Sequence, residues 1–116
     1  MSDEVSYDIV DRNLVIRLNK ELDHHNSEAI RQRADRLIEI KGIKNIIFDF
    51  ENVSFMDSSG IGVIMGRYKK IVFNKGQIVV VNINERIDRI LRMSGLYRLV
   101  TKEDSIDTAF SMLDKC

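Results

Sequence analysis

The feature that most restricts the fold is a handover between two hydrophobic periods in the middle of the chain. Ile46-Ile47-Phe48-Asp49-Phe50 is a short apolar run with polar neighbours, the pattern of a strand covered on both faces. Ile61, Ile64, Met65, Tyr68 and Val72 then recur at spacings of three and four, which places one apolar stripe on a helix. A doubly buried strand that leads straight into an amphipathic helix is half of a βαβ unit and predicts a parallel sheet. The junction is Phe55-Met56-Asp57-Ser58-Ser59-Gly60-Ile61-Gly62. Asp57, Ser58 and Ser59 fall at the helix start, where short polar side chains accept hydrogen bonds from the free amides of the first turn. Those amides, with the helix dipole, also favour an anion.

The rest of the chain extends the same pattern. Val5, Tyr7 and Ile9 alternate with polar residues, Asp11-Arg12-Asn13 supplies a turn, and Leu14, Ile16 and Leu18 alternate again, which reads as a β-hairpin. Residues 19–26 lead into a helix with Ile30, Ala34, Leu37 and Ile38 on one face; Asp23 and Asn26 both qualify as its cap, and Lys41-Gly42 stops it. The second helix is expected over about residues 58–73, closed by Asn74-Lys75-Gly76, and residues 77–81 form the next inner strand. Asn84 caps a third helix carrying Ile87, Ile90 and Leu91 and closed by Gly95; Leu99-Val100 is read as a short last strand, and Asp104 as the cap of a final helix with Ile106, Ala109, Phe110 and Leu113 inward. The order is ββαβαβαβα, a small α/β domain whose sheet is largely parallel after the hairpin.

With 116 residues, one domain is expected. Eighteen basic residues balance eighteen acidic ones and are scattered singly or in pairs such as Lys69-Lys70, so a nucleic-acid partner is not expected. No apolar run approaches the roughly 20 residues of a membrane span, and the start Met-Ser-Asp-Glu has no apolar segment behind it, so neither membrane association nor a signal peptide is expected. The one cysteine, Cys116, excludes a disulfide framework, is read as inert, and suits a reducing cytoplasm. No proline occurs.

Several chemistries can be weighed at the junction. Gly60, Gly62 and Gly66 follow a strand, but a dinucleotide fingerprint wants its first glycine in the turn and an acidic residue at the end of the next strand, where Asn82 stands. Gly62 and Gly66 lie one turn apart and are better read as a flat helix face for packing against the sheet or a partner, and Gly60 keeps side chains away from Ser58. No G-K-[ST] completes a phosphate loop. Catalysis by Ser58 lacks a G-x-S-x-G elbow, and the only histidines are the pair His24-His25, which point about 100° apart on a helix and are better read as a solvated helix start than as a shared metal site. Asp49, Glu51 and Asp57 surround the strand end, where caps and solvated loops account for them better than a metal cluster. Neither a catalytic residue, a cofactor nor a metal is therefore expected.

The residues themselves carry a more specific signal. Met56-Asp57-Ser58-Ser59-Gly60-Ile61-Gly62-Val63-Ile64, preceded by Phe48-Asp49-Phe50-Glu51-Asn52-Val53, resembles the signature of the STAS-domain anti-sigma factor antagonists, and the resemblance covers essentially the whole chain. Gly66-Arg67-Tyr68-Lys69-Lys70 and Met93-Ser94-Gly95-Leu96 are similar to the sporulation branch of that family. The resemblance implies a STAS-type fold and a protein with no catalysis of its own. In its unmodified form such a protein binds an anti-sigma factor that is also a serine kinase, and so releases a sporulation sigma factor. The kinase uses ATP to phosphorylate the serine after the motif aspartate, which is Ser58 here, and a PP2C-like phosphatase reverses it. Asp57 matches the motif aspartate and Ser59 the second hydroxyl. Glu21-Leu22-Asp23 matches the family's loop before the first helix, although Asn19-Lys20 stands where a glycine is common.

The expected partner surface combines the loop with Glu21 and Asp23, the junction with Asp57, Ser58, Ser59, Gly60, Ile61 and Gly62, and the exposed side of the second helix near Arg67. Two rivals are a small nucleotide-binding protein or enzyme using the Asp57-Ser58-Ser59-Gly60 loop, and a STAS domain from an anion transporter or stress-signalling complex.

Overall fold

The computed structural model describes residues 5–115; the readings of the acidic start and of Cys116 fall outside them. Among the described residues the strands and α-helices run in the order β1 (Val5–Val10), β2 (Asn13–Leu18), α1 (Ser27–Lys41), β3 (Asn45–Asp49), α2 (Ser58–Ile71), β4 (Ile78–Val81), α3 (Glu85–Met93), β5 (Thr101–Glu103) and α4 (Ile106–Asp114). The sheet order is β1-β2-β3-β4-β5, antiparallel at the opening hairpin and parallel from β2 onward. Since each strand adds beside its predecessor, the order never reverses and no crevice opens at a topological switch point.

Strand periodicity divides the core into two layers. Leu14, Ile16, Ile46, Phe48, Ile78 and Val80 face α1, α2 and α3, which contribute Ile30, Ala34, Val63, Ile64, Ile71, Ile87 and Leu91. Their neighbours Val15, Ile47, Val79 and Val81 face the other way, against Ala109 and Leu113 of α4. All four residues of β4 are buried, as expected for an inner parallel strand.

Four local readings are corrected. The stripe of α2 is rotated: Val63, Ile64, Arg67 and Ile71 are buried, while Ile61, Met65 and Tyr68 pack at its margin and Val72 is exposed. Helix α2 ends at Ile71 and continues as a 3-10 turn over Val72–Asn74. The last strand is Thr101–Glu103 and not Leu99-Val100, because residues 96–98 close a 3-10 turn and Val100 plugs the core. Finally, α4 is capped by Ser105, not Asp104, in a capping box with Thr108. For α1 the cap position is Asn26, without a side-chain bond to the helix, and the Asn84 cap of α3 is as read.

Candidate functional site

Parallel strands carry their following loops to one edge, and the junction after β3 lies there beside the loop after β2. Asp57 is the N-cap of α2: its backbone is extended, and its Oδ1 accepts the Ser59 amide at 2.8 Å. The Asp57 carbonyl also accepts the Gly60 amide at 3.0 Å. Of the three short polar residues read at the helix start, Asp57 is the cap, which leaves Ser58 exposed at the first helical position. Ser59 is half-buried.

Two backbone hydrogen bonds clip the loops together, Leu22 N to Phe55 O at 3.3 Å and Asp57 N to Leu22 O at 3.2 Å, around a parallel bridge between Leu22 and Met56. Both side chains are buried, so the clip is anchored in the core. The Ser54 hydroxyl donates to Glu21 at 3.0 Å. Asp23 accepts the amides of His25 and Asn26 at 2.9 and 3.3 Å, Asn26 accepts the Asp23 amide at 3.1 Å, and its side-chain amide donates to Glu21 O at 2.6 Å. This reciprocal ring gives the loop a fixed shape despite Asn19-Lys20 in the glycine position.

His24 Nδ1 stands 3.7 Å from Asp57 Oδ2. Burial acts to raise the Asp57 carboxyl, but hydrogen bonds from Ser59 and His24 outweigh it and hold the group below the usual aspartate range. Asp57, directly before Ser58, therefore carries a full negative charge at neutral pH.

Glu21, Asp23, Asp57, Ser58 and Ser59 share this surface, with Ile61 half-buried at its edge and Gly62 exposed one turn along α2. Gly60 does not reach it: the residue is buried where α2 packs on Leu22. Arg67 does not belong to it. The guanidinium lies between α2 and α1, with Nε 2.8 Å from Asp35 Oδ1, off-axis for a hydrogen bond, and an Nη donating to Val63 O at 3.3 Å. With 4% of its surface exposed, it locks two helices and offers nothing to a partner from an exposed side. Two neighbours escaped the sequence reading: Phe55, 42% exposed beside the clip, and His24 through its contact with Asp57. A phenylalanine between Ser54 and Met56 in a polar loop was the available signal for the first.

The acidic residues after β3 separate. Asp49 is buried and receives Arg17 Nε at 3.2 Å, the Asn82 side-chain amide at 2.9 Å and the Glu51 amide at 3.0 Å, while Asp57 faces His24 and Ser59. Among the described residues no three His, Cys, Asp or Glu side chains group as metal ligands, and no helix is long and apolar enough to cross a membrane.

An exposed serine behind a capping aspartate, on an α/β sheet of this order, defines a class that comparison identifies. The STAS domain matches residues 4–109, and the chain belongs to that family. Within it, the chain is 40% identical over 101 residues to an anti-sigma F factor antagonist from Paenibacillus polymyxa, covering 87% of this chain and 86% of the relative. Its structure is similar to that of the anti-sigma factor antagonist SpoIIAA in its unphosphorylated form, with a TM-score of 0.80 and 28% identity over 97% of this chain and 99% of that one. It is likewise similar to the Bacillus cell fate determinant SpoIIAA in the phosphorylated form, with a TM-score of 0.76 and 30% identity over 94% and 98% of the two chains.

Proposed function

We propose that this chain is an anti-sigma factor antagonist that works by partner switching in the cytoplasm. Unmodified, it binds an anti-sigma factor and so releases a sporulation sigma factor. The anti-sigma factor is also a serine kinase, which transfers the γ-phosphoryl group of ATP to the Ser58 hydroxyl. A PP2C-like phosphatase removes the group. The chain is substrate and ligand in this cycle, and needs no cofactor.

The observation that carries this reading is the exposure of Ser58 at the first position of α2, directly behind the capping Asp57 and beside the loop of Glu21 and Asp23. A hydroxyl there is open to a kinase. Once phosphorylated, it adds roughly −1.5 to −2 charge and three acceptor oxygens at a helix N-terminus, whose dipole favours them. At a docked interface the same group must lose water beside the charged Asp57, so desolvation and like-charge repulsion oppose rebinding.

The experiment is phosphoryl transfer from labelled ATP with the cognate kinase. Wild type and Ser59→Ala take up label and Ser58→Ala does not; label persisting on Ser58→Ala removes the assignment. ATP alone should leave the protein unlabelled, whereas self-labelling would favour the small nucleotide-using enzyme.

A further inference from the structure

Ser58 lies at the edge where the parallel strands end. At the opposite edge, where they begin, three segments meet: the hairpin turn with Arg12, the lead into β3 with Lys44, and the turn after α2 with Phe73, Asn74 and Lys75. Together they line a concavity of about 320 Å³. Phe73 stands 87% exposed at its rim, and the preceding Val72 is exposed as well.

The cations are brought together by backbone constraints. Arg12 Nε donates to Gly42 O at 2.9 Å, and the Arg12 carbonyl accepts the amides of Lys44 and Asn45 at 2.7 and 3.2 Å. Lys75 has a φ of 60°, a left-handed conformation that lysine rarely adopts. The next residue, Gly76, touches the Lys44 backbone so closely that a Cβ would lie 2.0 Å from Lys44 O. The turn is thereby pressed onto the β3 lead, and Lys75 beside Lys44. Among the described residues no carboxylate forms an ion pair with Lys44 or Lys75. The hairpin turn contributes the single carboxylate of Asp11.

We propose that this end of the molecule is a docking surface for an acidic, extended segment of a partner protein, with carboxylates against Arg12, Lys44 and Lys75 and an apolar side chain on Phe73. The complementarity is one of charge with one apolar anchor. Sequence-independent binding of nucleic acid rests on many phosphate contacts, and polybasic membrane recognition on about four to eight cations; this concavity offers three. Because the surface and Ser58 occupy opposite edges, a partner held here leaves the serine free.

The test is an amide-resonance titration of the full chain with a short glutamate-rich peptide carrying one central leucine. A peptide with glutamine in place of each glutamate, phosphatidylserine vesicles and oligo(dT) serve as alternatives. Shifts centred on Arg12, Lys44 and residues 73–76 are expected from the acidic peptide. Phe73→Ala and the double variant Lys44→Glu/Lys75→Glu should each weaken binding by about tenfold or more, with unchanged melting temperatures. Equal binding of the glutamine peptide, shifts elsewhere, an undiminished affinity in either variant, or tighter binding of vesicles or oligo(dT) at the same residues would each overturn the proposal. Ser58→Asp should leave the titration unaltered, so this result is independent of the phosphorylation reading.

Discussion

A Cβ placed on Gly60 would lie 2.9 Å from Leu22 Cγ and 3.1 Å from Leu22 O, so the first turn of α2 and the loop before α1 approach too closely to admit any side chain between them. Gly60→Ala should therefore push the clip apart and lower stability by about 1–3 kcal/mol, the usual effect of overpacking. Nothing lies within 4 Å of the corresponding position on Gly62. Gly62→Ala should be neutral or stabilise by up to about 1 kcal/mol, since alanine is the better helix former. Urea midpoints of the two variants decide it, and equal effects would contradict the packing.

Arg67 and Asp35 test the interior rather than the partner surface. Their side chains are 5% and 16% exposed, and removing one member of a pair this buried typically costs about 3–5 kcal/mol. Arg67→Glu should accordingly lower the melting temperature markedly; an unaffected melting curve would refute the locking role.

Asp23 tests binding to the partner, and its hydrogen bonds restrict which substitution is informative. Its carboxylate holds the His25 and Asn26 amides, so charge reversal would disturb the loop's shape as well as its charge. Asp23→Asn keeps an acceptor for those amides and removes the charge. It should weaken binding to the anti-sigma factor at an unaltered melting temperature, measured by partner titration beside thermal melts.

The stabilisation due to Asp57 should vanish in acid. Its carboxyl is held below the value it has in the unfolded chain, so the contribution is complete above the ordinary aspartate pKa of about 4 and is lost as pH falls through the folded value. Asp57→Ala should cost about 0.5–2 kcal/mol at neutral pH, as lost caps do. The gap between the denaturation curves of variant and wild type should close progressively as pH falls below about 4 and through the folded value. A constant gap across that range would contradict the assignment.

Phosphorylation at Ser58 should alter binding and spare the fold. Shifts in backbone spectra should be confined to the neighbourhood of Ser58 and the loop clipped to it, with partner affinity reduced by about tenfold or more, equivalent to about 1.4 kcal/mol. A rearranged sheet or helix would rule out a local charge switch.

The elements with strong periods were legible before any coordinates. Residues 46–50 read as a buried strand because Ile46, Phe48 and Phe50 enter one core layer and Ile47 the other, and Asn84 read as a cap because it precedes a clean apolar stripe. Strand β5 was not, because Thr101–Glu103 is a polar edge of three residues, and the apolar Leu99-Val100 beside it belongs to a turn and a plug. Arg67 misled for a different reason. Its partner Asp35 is 32 residues away on another helix, and hydropathy assigns any arginine to the outside. At the site, the motif singled out Ser58, while which of Asp57, Ser58 and Ser59 caps the helix needed the extended backbone at Asp57 to be seen.

The division of the core between two faces also sets an order of completion during synthesis. Val15, Ile47, Val79 and Val81 come from β2, β3 and β4, yet their cover, Ala109 and Leu113, follows every strand in the chain. Since domains emerge from the ribosome N-terminus first, the α1–α2–α3 side can close while the opposite side is still bare. Until α4 has emerged, the nascent chain carries an aliphatic sheet face without its cover, so the last helix to be synthesised is the one that completes the second core layer.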